Sequence, residues 1–372
     1  MKSEYQSIST PALLVDKGRL EHNISRVQAI ADKWNVSLRP HTKTHKMPAI
    51  AKMQVAAGAK GIAVAKTAEA EIMAESGLDD IFIANEPVGD DKLERIARIS
   101  LNRKISFGVD CEQHVLSAER VFSKYDAKAR ILVEIEVGEN RSGAVTRDQL
   151  KSVTDAVKQC PHVELLGVFS HDGFSYGASS MEEAKEIGVK AQQRTLEFAD
   201  YMKEEGFPPE IVSIGSTTSI LCGCEILPGI TEIRIGTYIF MDASQAPATG
   251  DPSFETCATT VLLTAISKPT EERIVFDGGA KSLTMQKRTV GITANKGLGK
   301  FFDVPDAYVT KVYDEHAIVE DKRVHDAFEI GDKAQIIPNH ICPTVNLYRK
   351  AYLVENGTVL KELPISCAGA TE

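Results

Sequence analysis

VSLRPHTKTHK (36–46) runs from a short apolar, β-branched segment straight into a basic loop. VSLRPH reads as a strand. Arg39, His41, Lys43, His45 and Lys46 gather positive charge at its end, although the whole chain carries a formal net charge of -9. Similar strands recur along the chain: GIAVA (61–65), DIFIAN (80–85), ISFGVD (105–110), ILVEIEVG (131–138), ELLGVFS (164–170), IVSIGS (211–216) and EIRIGTYIF (232–240). Helix-patterned segments such as KTAEAEIMAES, CEQHVLSAERVFSKY and MEEAKEIGVKAQQRTLEFADYMKEEG separate most of them. A first helix is expected over Lys17–Trp34, with Leu20, Ile24, Val27, Ile30 and Ala31 at helical spacing and Asp16 as N-cap. The linkage TTSILCGCEILPG is poorly helical, so one crossover is irregular. Strands alternating with helices imply a parallel sheet with right-handed crossovers. Eight such units in about 240 residues fit a TIM-type (β/α)8 barrel of the α/β class. An open, doubly wound sheet shares the same periodicity and stays as the alternative.

The pattern changes near Ala243. SQAPATGDPS (244–253) is rich in small and turn-forming residues, and strands without long helices follow it: ATTVLLTAISK, RIVFDGG, AYVTKVYDEHAIVE, KAQIIPN and LYRKAYLVENGTVLKEL. The expected division is a barrel over residues 12–243 and a mostly β C-terminal domain over 244–372, joined by residues 1–11.

Composition narrows the function. Of the 372 residues, 43% are hydrophobic and 26% charged, as in ordinary globular proteins. Negative net charge and few aromatics speak against a nucleic-acid partner. The start, MKSEYQSISTPALLVD, lacks the apolar run of a signal peptide, and no segment approaches the length of a membrane span. Seven cysteines scattered through such a chain suggest reduced thiols and a cytoplasmic location. Cys222 and Cys224 form a C-x-C with no partner pair and read as ordinary thiols.

In a barrel of this type the chemistry sits just past the C-terminal ends of the strands. Lys43 falls there after VSLRPH, His171 and Tyr176 after ELLGVFS, the turn GSTTS after IVSI, and Gly236 and Thr237 within EIRIGTYIF. Glycine and hydroxyl turns late in a barrel suit phosphate, whose oxygens take backbone N–H groups and hydroxyls. A lysine facing such a turn suggests pyridoxal 5'-phosphate, which is held by lysine as a Schiff base. A solvated basic loop and an ordinary βα turn are the plainer readings of the same residues. His340 and Cys342, two apart in PNHICPTVN (338–346), would point to one side of an extended segment. Imidazole and thiolate are good zinc ligands, and two protein ligands would leave positions open for water or substrate. A buried cysteine beside a loop histidine is the competing reading.

Taken together, TPALLVD, RPHTKTHK, SHDGFSYG, SIGSTTS, TEIRIGTYIF, DEHAIV and PNHICPTVN resemble the D-threonine aldolase and D-serine dehydratase family of fold-type III pyridoxal phosphate enzymes. These enzymes have an alanine-racemase-like barrel. RPHTKTHK and PNHICPTVN carry most of the specificity. The resemblance implies that Lys43 bonds the cofactor while Lys46 stays outside the bond. Thr217, Gly236 and Thr237 match phosphate-binding positions, and Tyr176 matches a cofactor-contacting tyrosine. Arg141, in VGENRSG, matches an arginine near the cofactor, with a surface salt bridge as its other reading. Phe169 stands where many dehydratase relatives carry a second tyrosine. The family places a divalent metal at His340 and Cys342. Cysteine at the second position suits zinc and elimination, whereas a carboxylate there would suit manganese and cleavage.

The expected function is therefore that of a metal-dependent pyridoxal phosphate lyase acting on a small-molecule D-3-hydroxy amino acid. One route is β-elimination, giving a 2-oxo acid and ammonia. The other is retro-aldol cleavage, giving glycine and an aldehyde. Elimination, with Lys43 removing the α-proton, is slightly favoured; in cleavage His171 is placed, by position, as the base for the β-hydroxyl. An alanine-racemase-like racemase is the alternative. A non-catalytic pyridoxal phosphate carrier fits less well, because it would lack the roughly 130 residues after Ala243. A head-to-tail homodimer is the expected assembly.

Overall fold

The computed structural model describes residues 5–372. Its strands, in chain order, are β1 (Ala12–Asp16), β2 (Ser37–Leu38), β3 (Ile62–Val64), β4 (Asp80–Ile83), β5 (Lys104–Val109), β6 (Ala129–Ile135), β7 (Val163–Ser170), β8 (Ile211–Ile214) and β9 (Glu232–Ile233). There follow β10 (Thr259–Ser267), β11 (Arg273–Phe276), β12 (Lys300–Phe301), β13 (Lys311–Val312), β14 (Ala317–Glu320), β15 (Lys333–Ile337), β16 (Lys350–Glu355) and β17 (Thr358–Pro364). Two compact units result. One holds 27–43, 48–236 and 370–372; the other holds the described residues through Arg26, Thr44–Met47 and Thr237–Gly369.

The first unit is the barrel. Eight parallel strands lie in the order β2-β9-β8-β7-β6-β5-β4-β3. The ring closes between its end strands, because His41 bridges Ala63 in parallel and Ala63 N–H reaches Pro40 O at 2.9 Å. An open doubly wound sheet is thereby excluded. Regular pairing in the first strand covers only Ser37–Leu38, yet Arg39 N–H and His41 N–H still donate to Ile233 O and Ile235 O. VSLRPH is thus extended through His41, with Pro40 unable to donate. Inside the ring Ala63, Phe82, Leu132 and Phe169 form one apolar layer, with the Phe82 and Phe169 rings edge to face at 5.0 Å. Phe169 is therefore a core residue. Arg234 lies over both rings, 5.6 and 5.0 Å from their centroids. At the N-terminal ends of β4 and β9, buried Arg39 bonds Asp80 at 2.6 Å and Glu232 at 2.8 Å. Gly167 is required where β7 passes β8, since a Cβ there would meet Ile211 O at 1.8 Å.

The second unit is a nine-stranded mixed sheet, β13-β14-β11-β10-β1-β16-β17, with β15 joining β10 to β12. Phe276, Phe301 and Phe328 pack together at its core, with centroids 5.5 to 6.1 Å apart. Two expectations are corrected. ALLVD, placed with the barrel by its position after residue 12, is β1 of this sheet, antiparallel to β10 and parallel to β16. EIRIGTYIF is strand only at Glu232–Ile233, because the chain leaves the barrel at Gly236 and winds into a 3-10 turn over Thr237–Ile239. The helix Lys17–Trp34 forms as expected, and Asp16 Oδ1 accepts the Arg19 N–H at 2.8 Å. Among the described residues no helix is long and apolar enough to cross a membrane.

Candidate active site

In the barrel unit Lys43 sits at the centre of a single 3-10 turn, Thr42–Thr44, immediately after the last barrel bond of the first strand. Thr42 Oγ1 fastens the turn to Ala63 O at 3.1 Å. Lys43 therefore leaves the barrel at its C-terminal rim, partly buried. The other cations of RPHTKTHK do not pool their charge with it. Arg39 is neutralised by two carboxylates at the far ends of the strands. Lys46, in the other unit, gives its Nζ to Asn346 Oδ1 at 2.8 Å and to Cys367 O.

The segment after β7 supplies His171 and Tyr176, whose rings meet edge to face at 6.3 Å. His171 Nδ1 and Glu139 Oε2 are 2.8 Å apart. Nδ1 also lies 3.1 Å from the Gly173 N; the tautomer that donates to the carboxylate puts the proton on Nδ1 and leaves the lone pair on Nε2. Burial lowers the His171 pKa and the charge of Lys43 lowers it further; the bond to Glu139 opposes both. Burial pushes Glu139 up, but the His171 bond and the Arg141 charge outweigh it and hold the carboxyl below the usual range. Arg141 bridges Glu134 at 3.2 Å and Glu139 at 3.6 Å, with about half of its side chain exposed (52%). The sequence reading singled out His171 and Arg141 and missed the carboxylates that orient them.

The phosphate expectation can be tested on the turn after β8. Ser216 is the N-cap of the helix Thr217–Leu221, yet no side chain caps that helix. Ser216 Oγ instead bonds Ser175 at 3.1 Å and Ser219 at 3.2 Å. The first turn of this helix therefore carries no side-chain cap and lies beside the buried Thr217 hydroxyl. An uncapped turn beside a hydroxyl fits a phosphate group. Gly236 closes the same unit in sequence, and Thr237 opens the other. Cys222 and Cys224 are buried thiols whose pKa values burial pushes up to about 11 and about 12, as expected of unreactive cysteines.

In the second unit PNHIC is not an extended run. His340 is the N-cap of the helix Ile341–Val345, and Cys342 lies in its first turn. The strand argument for a shared face therefore does not apply, and other bonds set the geometry. Asp242 Oδ2 accepts the Ile341 N–H, and Asn339 donates to Gln286 O and Gly297 O. Gln286 Oε1 lies 2.9 Å from His340 Nδ1 and so orients the imidazole. Cys342 Sγ lies 3.3 Å from Thr44 Oγ1 and 3.8 Å from Thr237 Oγ1, two hydroxyls able to donate to a thiolate. An oriented imidazole and a thiol with hydroxyl donors fit a borderline divalent ion.

A closed parallel barrel followed by a mostly β domain defines the alanine-racemase-like class. Residues 15–244 match the family model of the alanine racemase N-terminal domain, and residues 258–354 match that of the serine dehydratase domain. A D-threonine aldolase from Arthrobacter sp. is 31% identical over 97% of this chain and 93% of its own. The crystal structure of D-threonine aldolase from Filomicrobium marinum superposes with a TM-score of 0.89 at 28% identity, covering 99% of this chain and 98% of that one. A D-threo-3-hydroxyaspartate dehydratase, as a cysteine-to-alanine mutant in the metal-free form, gives 0.89 at 25% identity over 98% and 99%. The chain belongs to the D-threonine aldolase and D-serine dehydratase family, pyridoxal phosphate lyases of D-3-hydroxy amino acids.

Proposed function

We propose that within this family the chain is a zinc-dependent dehydratase, eliminating water from a D-3-hydroxy amino acid such as D-serine or D-3-hydroxyaspartate. Cys342 carries this reading: a thiol with two hydroxyl neighbours, on the same short segment as an oriented histidine, favours zinc over harder ions. Retro-aldol cleavage, with manganese as the alternative metal, is the second reading. The 31% identity to a D-threonine aldolase favours it.

Lys43 would hold the cofactor, Thr217, Gly236 and Thr237 would take its phosphate, and Arg141 and Tyr176 would contact it. When bound, pyridoxal phosphate supplies an electron sink for charge that develops at the substrate Cα. His340 and Cys342 would hold a divalent ion, which would supply Lewis-acid polarisation for the β-hydroxyl. Lys43 would be the group that takes the α-proton of the substrate. His171 presents Nε2 as a proton acceptor because Glu139 fixes Nδ1 as the donor. The same two groups serve either outcome, which differs in the bond that breaks: Cβ–O in elimination, Cα–Cβ in cleavage.

The working assembly is a homodimer in the cytoplasm, with a free D-amino acid as substrate. Product analysis over D-serine, D-threonine and D-3-hydroxyaspartate tests the proposal. A 2-oxo acid with ammonia supports it. Glycine with an aldehyde moves cleavage to first place, and racemised substrate alone overturns the lyase.

A further inference from the structure

Directly after β5, in the barrel unit, DCEQH (110–114) leads into the helix Glu112–Phe122. Cys111 is the N-cap of that helix and His114 its third residue. Side chains at those two positions lie close together, as they do in a capping box. Asp110, between the strand and the N-cap, completes the group. One ligand atom from each of Asp110, Cys111 and His114 lies within 4.8 Å of the other two.

The bonds inside the group favour a cation at its centre. Asp110 N–H donates to His114 Nδ1 at 3.4 Å, a bond that uses the lone pair of that nitrogen. Asp110 Oδ1 lies 3.2 Å from the same nitrogen. Two atoms that both present lone pairs at this distance need a proton or a metal ion beside them. The Cys111 thiol in the same space favours the metal, because carboxylate, thiolate and imidazole are the side chains that bind zinc. The His114 bond holds the Asp110 carboxyl below its usual range, so that ligand is already an anion. Burial pushes the Cys111 thiol up, and a metal must therefore displace its proton. The helix N-terminus favours the resulting thiolate. A dication with one carboxylate, one thiolate and a neutral imidazole has no net charge, so the helix dipole does not oppose it. The side chains of Asp110 and His114 are 27% and 19% exposed, which gives the ion a path from solvent and leaves water as the fourth ligand.

The carboxylate is also oriented from outside the group. Asp110 Oδ2 accepts the Gly143 N–H at 3.3 Å. Gly143 has a φ of +104°, and a Cβ there would meet Glu136 N at 2.8 Å. Next to it, Ala144 N–H donates to Glu134 O and Glu136 N–H donates to Ala144 O. Residues 136–143 therefore form a closed loop at the end of β6, and Asp110 holds its base. Glu139 and Arg141 lie on that loop.

We propose that Asp110, Cys111 and His114 form a zinc site of the barrel unit, additional to the one proposed at His340 and Cys342, and that zinc there fastens the base of the 136–143 loop. The ion takes the thiolate and the imidazole lone pair, and the thiol proton passes to solvent. All of the groups involved lie within the barrel unit, and the site is independent of which reaction the protein catalyses.

Protection of the thiol tests the site in the wild-type holoenzyme. After chelation, iodoacetamide should alkylate Cys111, and micromolar free zinc should abolish the label on that peptide, read by mass spectrometry. Labelling of Cys111 that zinc leaves unchanged, or that only millimolar zinc suppresses, overturns the site. This measurement suffices should the variants not fold. Metal content supplies the second arm. Wild-type protein dialysed against zinc should hold two ions per chain, and Cys111→Ser, His114→Ala and His340→Ala one each. Zinc content in Cys111→Ser equal to that of the wild type overturns the site. A single wild-type ion that is lost in Cys111→Ser and kept in His340→Ala retains this site and discards the metal reading at His340 and Cys342. Zinc should also slow amide hydrogen exchange over residues 136–143 in the wild type and not in His114→Ala. Exchange there that zinc leaves unchanged overturns the fastening of the loop.

Discussion

Thr44 Oγ1 stands 3.3 Å from Cys342 Sγ, and Thr44 is the residue that follows Lys43 in the chain. One peptide bond therefore separates the proposed cofactor lysine from a side chain that supports the proposed metal thiol. Thr44→Val keeps the shape and removes the hydroxyl. Zinc affinity, measured by competition with a chelating dye, should fall about tenfold, the usual scale for a supporting hydrogen bond at a metal. Visible cofactor absorbance should persist. Unchanged zinc affinity would show that the hydroxyl gives the thiol no support.

Lys43 and Lys46 are separated by their surroundings. Lys46 is buried, with its Nζ held by Asn346 and by the carbonyl of Cys367. Borohydride reduction of the holoenzyme should fix the cofactor on the peptide carrying Lys43, and Lys43→Ala should abolish both the label and the visible band. A label on Lys46 would reject the assignment.

His171 and Glu139 predict a pH effect with a definite sign. Burial and Lys43 depress the histidine pKa, while Glu139 raises it. Glu139→Gln removes the raising influence, so the acid limb of kcat/KM should move to lower pH. The maximum should also fall, because the imidazole loses its fixed tautomer. The same shift affects folding. A histidine whose folded pKa lies below its unfolded value contributes stability above the unfolded pKa and loses it as pH falls through the folded one. Thermal scans from neutral pH downward should show a smaller acid loss in His171→Gln than in the wild type.

Arg39 predicts a stability effect without chemistry. Its side chain is 4% exposed and that of Glu232 is 2% exposed. Arg39→Ala leaves the Glu232 carboxylate buried, with Ser213 Oγ still donating to it at 2.8 Å. The cost should be about 3–5 kcal/mol in urea unfolding. Arg39→Lys should recover little, since a single ammonium cannot reach Asp80 and Glu232 as the guanidinium fork does.

The barrel was legible because its strands are continuous β-branched and apolar runs, buried on both faces and punctuated by amphipathic helices. ALLVD has the same composition, and nothing local distinguishes a barrel strand from one whose partners are Thr259–Leu262 and Ala351–Val354. EIRIGTYIF read as one strand because Gly236 alone marks where the chain turns out of the ring. The basic loop suggested pooled charge around Lys43, yet Arg39 and Lys46 are paired with groups far away in sequence. The residues that orient the site were less visible. Glu139 and Gln286 meet their histidines across 32 and 54 positions of sequence. Glu134 had one local signal, a carboxylate on the inward register of a core strand, two residues from Leu132.

Cys342 separates the two outcomes most sharply. Elimination expels hydroxide from Cβ and depends on strong polarisation of the departing oxygen, whereas cleavage needs the hydroxyl oriented and deprotonated. Cys342→Asp keeps an anionic ligand in the first turn of the Ile341–Val345 helix but exchanges soft sulfur for hard oxygen, which suits manganese better than zinc. Its dehydratase rate should fall more than any aldolase rate, and manganese should restore the aldolase rate preferentially. His340→Ala should match chelated wild-type protein, with lyase turnover abolished and cofactor absorbance retained, because it removes the imidazole proposed as metal ligand. If chelated enzyme, His340→Ala and Cys342→Asp all turn over D-3-hydroxy amino acids at the wild-type rate, these two side chains hold no catalytic metal. The hydroxyl proton would then fall to His171 alone.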